Sequence, residues 1–100
     1  MKSSACAVDL NSMQDALKAY RDSIGKMTKP YHYANEISII RWAMTGSCKT
    51  PIDLVSLSIE QLRVLRRVAC LNRRLIKLHV DYQQRKQACR QLAQKLQSKI

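Results

Sequence analysis

Apolar side chains recur at Leu10, Met13, Leu17, Tyr20, Ile24 and Met27, at steps of 3, 4, 3, 4 and 3. That spacing places all six on one face of a helix. Asn11 or Ser12, with Gln14 or Asp15 three residues on, supplies a start signal, and Gly25 with the Lys29-Pro30 step supplies the end. The opposite face carries Lys18, Arg21, Asp22 and Lys26, the mixed signs expected of a solvated surface. A second stripe, Tyr33, Ile37, Ile40 and Met44, widened by Ile39, Trp42 and Ala43, predicts a helix closed by Thr45-Gly46. The β-branched run within Ile37 to Met44 leaves a strand as its alternative. Leu17, Tyr20, Ile37, Ile40, Trp42 and Met44 form the expected core.

Thr50-Pro51-Ile52-Asp53 combines a capping hydroxyl, a proline suited to the first helical position and an acid near the exposed amides, predicting a short helical turn over residues 51 to 56. Ser58-Ile59-Glu60-Gln61 then has the capping-box pattern at the head of a stretch free of Gly and Pro. Unbroken, residues 59 to 100 would make a helix about 63 Å long, against a radius of gyration of about 13 Å for a compact chain of this length. Such a helix must break, protrude or find a partner, and Asn72 and the Asp81 to Gln84 region are the predicted places for a break. A heptad runs through it: Gln61, Val64, Val68, Leu71, Leu75, Leu78, Tyr82, Arg85, Cys89, Leu92, Leu96 and Lys99 keep the 3,4 spacing. Up to Leu78 the apolar face is broad, flanked by Leu62, Leu65, Ala69 and Ile76, and is expected to pack on the first two helices. Beyond Tyr82 the seam narrows among glutamines and cations, as in a coiled-coil arm. Leu71, Leu75, Leu78, Tyr82, Cys89, Leu92 and Leu96 are therefore the candidate interface for an oligomer, a dimer foremost, or for a partner's groove.

The palette supports this reading. The chain has no Phe, a single Trp, two Gly and two Pro, too few turn formers for a many-stranded β fold. The expectation is one all-α domain: an N-terminal part, residues 1 to 57, of two helices and a short capped turn, packed on a long basic amphipathic helix, residues 58 to 100. A chain of this size buries only about 65% of its unfolded surface, so its core is modest.

Charge adds a second theme. The formal net charge is +11. Residues 1 to 57 carry seven basic and five acidic groups, whereas residues 58 to 100 carry eleven and two. Arg63, Arg66, Arg67, Arg73, Arg74 and Lys77 fall opposite the apolar seam and form a one-signed strip, the candidate contact for nucleic acid or an acidic partner. Thr50 to Leu75 also has the outline of a helix-turn-helix, with Arg63, Arg66 and Arg67 early in its second helix, although no glycine occupies the turn.

Catalytic chemistry is sparse. His32 lies between two tyrosines after Pro30 and His79 lies beside the seam, both suited to packing or interface roles. Cys6, Cys48, Cys70 and Cys89 make no CxxC pair, and no phosphate loop or HExxH occurs. Neither an enzyme nor a cofactor or metal site is expected. With no signal-like or membrane-spanning apolar run, a cytoplasmic location is expected.

Three functions fit: a regulator that binds another macromolecule through amphipathic helices, a direct DNA- or RNA-binding protein using the basic strip, and a structural coiled-coil component. The sustained heptad favours the first. In size, charge and domain economy the chain resembles the small accessory regulators of phages and plasmids, including antirepressors. That resemblance implies a DNA-binding protein as the partner and assigns no residues.

Overall fold

A computed structural model describes residues 2–47, 49, 50, 52 and 54–98. Among these residues the elements are α1 (Lys2–Ser23), α2 (Pro30–Thr45), a single 3₁₀ turn (Leu54–Ser56), α3 (Ile59–Lys77) and α4 (Tyr82–Gln97), with no strand. The all-α expectation holds, and Ile37 to Met44 is helical.

The N-terminal helix begins at Lys2, well before the predicted cap at Asn11 or Ser12. No Gly or Pro interrupts residues 2 to 23, so the helix runs through those polar residues. Its end is legible: Gly25, at φ 75°, takes the left-handed position. Gly25 N–H donates to Asp22 O and Lys26 N–H to Arg21 O, a Schellman closure.

The long C-terminal stretch breaks at residues 78–81, just ahead of the second of the two expected places and sharing only Asp81 with it. Asn72 lies instead inside α3. Here too the helix closes with a Schellman pair, His79 N–H to Ile76 O and Val80 N–H to Leu75 O, each 3.0 Å. The left-handed residue is His79, at φ 62°. Asp81 then caps α4, its Oδ1 accepting from Gln84 N–H at 2.9 Å.

With that corner the chain folds back on itself. The principal packing is α1 on α3, α2 on α4 and α3 on α4, so the segments 1–57 and 58–100 interleave. The radius of gyration is 13.0 Å, as expected for a chain of about this length folded compactly. No 63 Å arm projects.

Met13, Ala16 and Leu17 of α1, Ile39, Ile40 and Ala43 of α2, Leu62, Val64, Leu65, Val68, Ala69 and Ile76 of α3, and Cys89 and Ala93 of α4 form the core. Leu17 and Ile40 are buried as expected, whereas Tyr20, Ile37, Trp42 and Met44 are only half-buried. The inward stripe of α2 runs through Glu36, Ile39, Ile40 and Ala43, turned away from the predicted Tyr33, Ile37, Ile40, Met44 line. The cause is polar. Glu36 faces inward, and Trp42 lies under Lys86 and Arg90, whose cationic groups sit 4.9 and 5.8 Å from its ring centroid.

Four helices meet at one buried polar network. Arg85 Nη2 donates to Glu36 Oε2 (2.6 Å), Arg85 Nε to Asn72 Oδ1 (3.2 Å) and Arg85 Nη1 to Val80 O (2.9 Å). Asn72 Nδ2 donates to Glu36 Oε1 (2.9 Å) and contacts Met13 Sδ (3.1 Å). Near the other end of α2, Gly46 at φ 78° caps the helix, and Arg90 Nη1 donates to Trp42 O and Ala43 O at 3.3 and 3.0 Å. A guanidinium among the last carbonyls complements the helix dipole.

Candidate nucleic-acid interface

The strongest amphipathic division in the molecule is on α3. Its start is fixed by a reciprocal capping box: Ser58 Oγ accepts from Gln61 N–H at 3.1 Å while Gln61 Oε1 accepts from Ser58 N–H at 2.9 Å. Glu60, the acid of the first turn, and Arg74 and Lys77 in the last complement the dipole.

At 3.6 residues per turn, Arg63, Arg66, Arg67, Cys70, Arg73, Arg74 and Lys77 fall within an arc of about 120°, and the strip extends about 21 Å along the helix. The opposite arc holds Leu62, Val64, Leu65, Val68, Ala69, Asn72 and Ile76, all buried. Arg63, Arg66, Arg67, Arg74 and Lys77 are exposed, while Arg73, at the edge beside Leu62, is half-buried. The six predicted cations thus share one outer face. Glu60 is the only acidic residue within α3, and it stands at the end where the strip begins. Five of the six cations are arginines, whose planar fork matches phosphate oxygens.

The predicted interface residues divide differently. Cys89 is wholly buried, its Sγ 3.9 Å from Val68 O, and burial pushes the thiol up to about 12. Leu71, Tyr82, Leu92 and Leu96 are half-buried against the molecule's own core. Leu75 is half-buried, and Leu78, at the corner, is 67% exposed. Most of the heptad is therefore used within a single chain. What it leaves open is a shallow groove between α3 and α4, lined by Arg67, Cys70, Leu71, Arg74 and Leu92.

The helix-turn-helix outline is not formed among the described residues. The element before α3 is a single three-residue 3₁₀ turn, Leu54–Ser56, too short to brace a recognition helix. Of the predicted start signal Thr50-Pro51-Ile52-Asp53, Pro51 and Asp53 lie outside the described residues. Neither histidine joins the strip. His32 closes the start of α2, its Nδ1 accepting from Lys29 N–H at 3.0 Å, and His79 lies against Tyr20 with ring centroids 4.6 Å apart. Burial, with Arg21 and Lys29 nearby, holds His32 below the usual histidine range. Among the described residues no group of three or more His, Cys, Asp or Glu side chains is placed to hold a metal ion, and no helix is long and apolar enough to cross a membrane.

The Glu36, Asn72 and Arg85 network was absent from the sequence expectations. Its signal was present: Arg85 occupies a heptad core position, a buried guanidinium needs a carboxylate, and the chain holds only seven acidic residues. Glu36 stands three, four and seven residues before Ile39, Ile40 and Ala43, on one apolar helical stripe.

No protein-family model, curated protein or solved structure matches this chain.

Proposed function

We propose that this chain is a small, non-catalytic nucleic-acid-binding protein that engages the phosphates of a duplex with the outer face of α3. The observation that carries the reading is the six-cation strip on the outer side of α3, five of its members exposed and Arg73 half-buried, interrupted by no acid between Arg63 and Lys77. An ordinary solvated helix face mixes acids with bases. A one-signed arginine face stores repulsion, which phosphate contacts relieve through counterion release. The heptad that favoured helix pairing is spent largely inside the fold, so the balance moves from an oligomeric arm to the strip.

The test is retention of duplex DNA and duplex RNA by the intact protein and by the variant Arg66→Glu, Arg67→Glu, Arg73→Glu and Arg74→Glu. Wild type should bind with steep salt dependence and the variant should not. Equal binding by both would remove the strip from the function.

The α3–α4 groove supports a second reading, an antirepressor-like regulator. Leucines at its floor and guanidinium groups at its rim suit an acidic amphipathic helix from a DNA-binding protein. Binding by such a helix with no affinity for duplex would favour it.

A further inference from the structure

Away from the strip, a half-open cavity of about 360 Å³ lies where the end of α1, the start of α2, the α3–α4 corner and the start of α4 come together. Its size falls at the lower end of the range for small-molecule sites. We propose that it binds a small aromatic carboxylate.

Rings supply its walls. Tyr20 and His79 lie 4.6 Å apart, and His32 and Tyr82 complete the lining. His79 is held there at φ 62° by the helix closure, a backbone region that non-glycine residues occupy at a cost and that is enriched at binding sites. Flat faces around a small cavity favour a flat body.

The polar groups favour an anion. Arg21 lines the cavity and is held by its Nη2, which donates to Met27 O at 3.0 Å. Its Nε is buried and has no acceptor among the described residues. A buried donor left unmade is costly, and a carboxylate oxygen would satisfy it. Because His32 Nδ1 accepts from Lys29 N–H, the neutral ring carries its proton on Nε2 and has one further donor to offer. The two carboxylates of the lining, Glu36 and Asp81, are already engaged: Glu36 by Arg85 and Asn72, Asp81 by Gln84 N–H. The floor is thus a closed ion pair, and the buried donor with no acceptor among the described residues belongs to Arg21.

The experiment is a titration of the full chain with benzoate, followed by the ring-proton NMR signals of His32 and His79. Saturable shifts of both, with a dissociation constant of about 1 mM or tighter, are expected. Arg21→Lys keeps the charge and removes Nε, and should weaken binding at least about tenfold while the circular dichroism melt stays close to wild type. Benzamide, the neutral isostere, should bind correspondingly less well. Arg66→Glu with Arg67→Glu should leave the benzoate response intact, which separates this site from the strip. Absence of a saturable histidine response, an unchanged affinity in Arg21→Lys, or inorganic phosphate shifting the same signals as well as benzoate would each overturn the proposal.

Discussion

Arg85 Nη2 stands 2.6 Å from Glu36 Oε2 in the interior, where the two residues are 6% and 2% exposed. The pair joins α4 to α2, and Asn72, wholly buried on α3, bridges both partners. Taking two charges out of water is costly, and removing one alone leaves the other unpaired in the core. Arg85→Met and Glu36→Met should each destabilise by about 3–5 kcal/mol in urea titrations. The double variant should lose much less than the sum. Additive losses would show that the two side chains do not interact in solution.

The second prediction concerns Cys89. Its thiol is raised to about 12 from an ordinary 9.0, burial being the main cause. The unfolded chain therefore releases this proton before the folded chain does. Between about pH 9 and 12 the folded state binds more protons, so stability falls as pH rises, by up to about 1.4 kcal/mol per pH unit. Cys89→Ala should remove that part of the alkaline slope in denaturation curves taken from pH 8 to 10.5. In peptide mapping after brief alkylation, exposed Cys70 should be modified while Cys89 stays protected.

Gly46 offers a backbone test. It sits at φ 78°, and an added Cβ would lie 3.2 Å from Arg90 Nη2. Gly46→Ala brings left-handed strain and displaces a guanidinium that serves two carbonyls of α2. A loss of about 1–2 kcal/mol is expected in thermal or chemical melts. Gly25→Ala has the same φ problem but meets nothing within 4 Å, so it should cost less.

The strip makes a quantitative prediction of its own. If α3 neutralises about five or six phosphates, the logarithm of the affinity for duplex DNA should fall with the logarithm of salt concentration at a slope of about −5. Arg67→Ala alone should reduce that slope by about 1 and weaken binding across sequences alike. A slope near zero would mean that phosphates contribute little.

Much of the architecture is legible in residue order. The 3,4 steps of α1, the capping box before α3 and the left-handed glycines at 25 and 46 mark elements where local chemistry and tertiary structure agree. The corner after Lys77 was harder to place because a histidine fills the position that glycine usually takes. The start of α1 was misplaced because a good N-cap pattern at Asn11 to Asp15 is only permissive: with no breaker upstream, the helix continues through it. The heptad from Val64 to Leu96 has the spacing of a partner-seeking helix, yet the same spacing serves two shorter helices that fold onto each other, and periodicity alone does not distinguish them. The strip was readable because its one-signed charge depends only on helical phase. The cavity was not, since it needs four segments brought together by tertiary structure.

The division of α3 into a packed arc and a charged arc has a consequence for how this protein can change. The exposed arginines, Arg63, Arg66, Arg67 and Arg74, lie away from the core arc, so exchanging one for another polar residue costs little stability. Under the proposed function, affinity, salt response and target preference can therefore drift or be engineered on that side without renegotiating the interior. The polar triad of Glu36, Asn72 and Arg85 is the opposite case: each member constrains the other two, and a change in one is tolerated only alongside changes in its neighbours. One helix thus presents an adaptable surface to the outside and a frozen one to the inside.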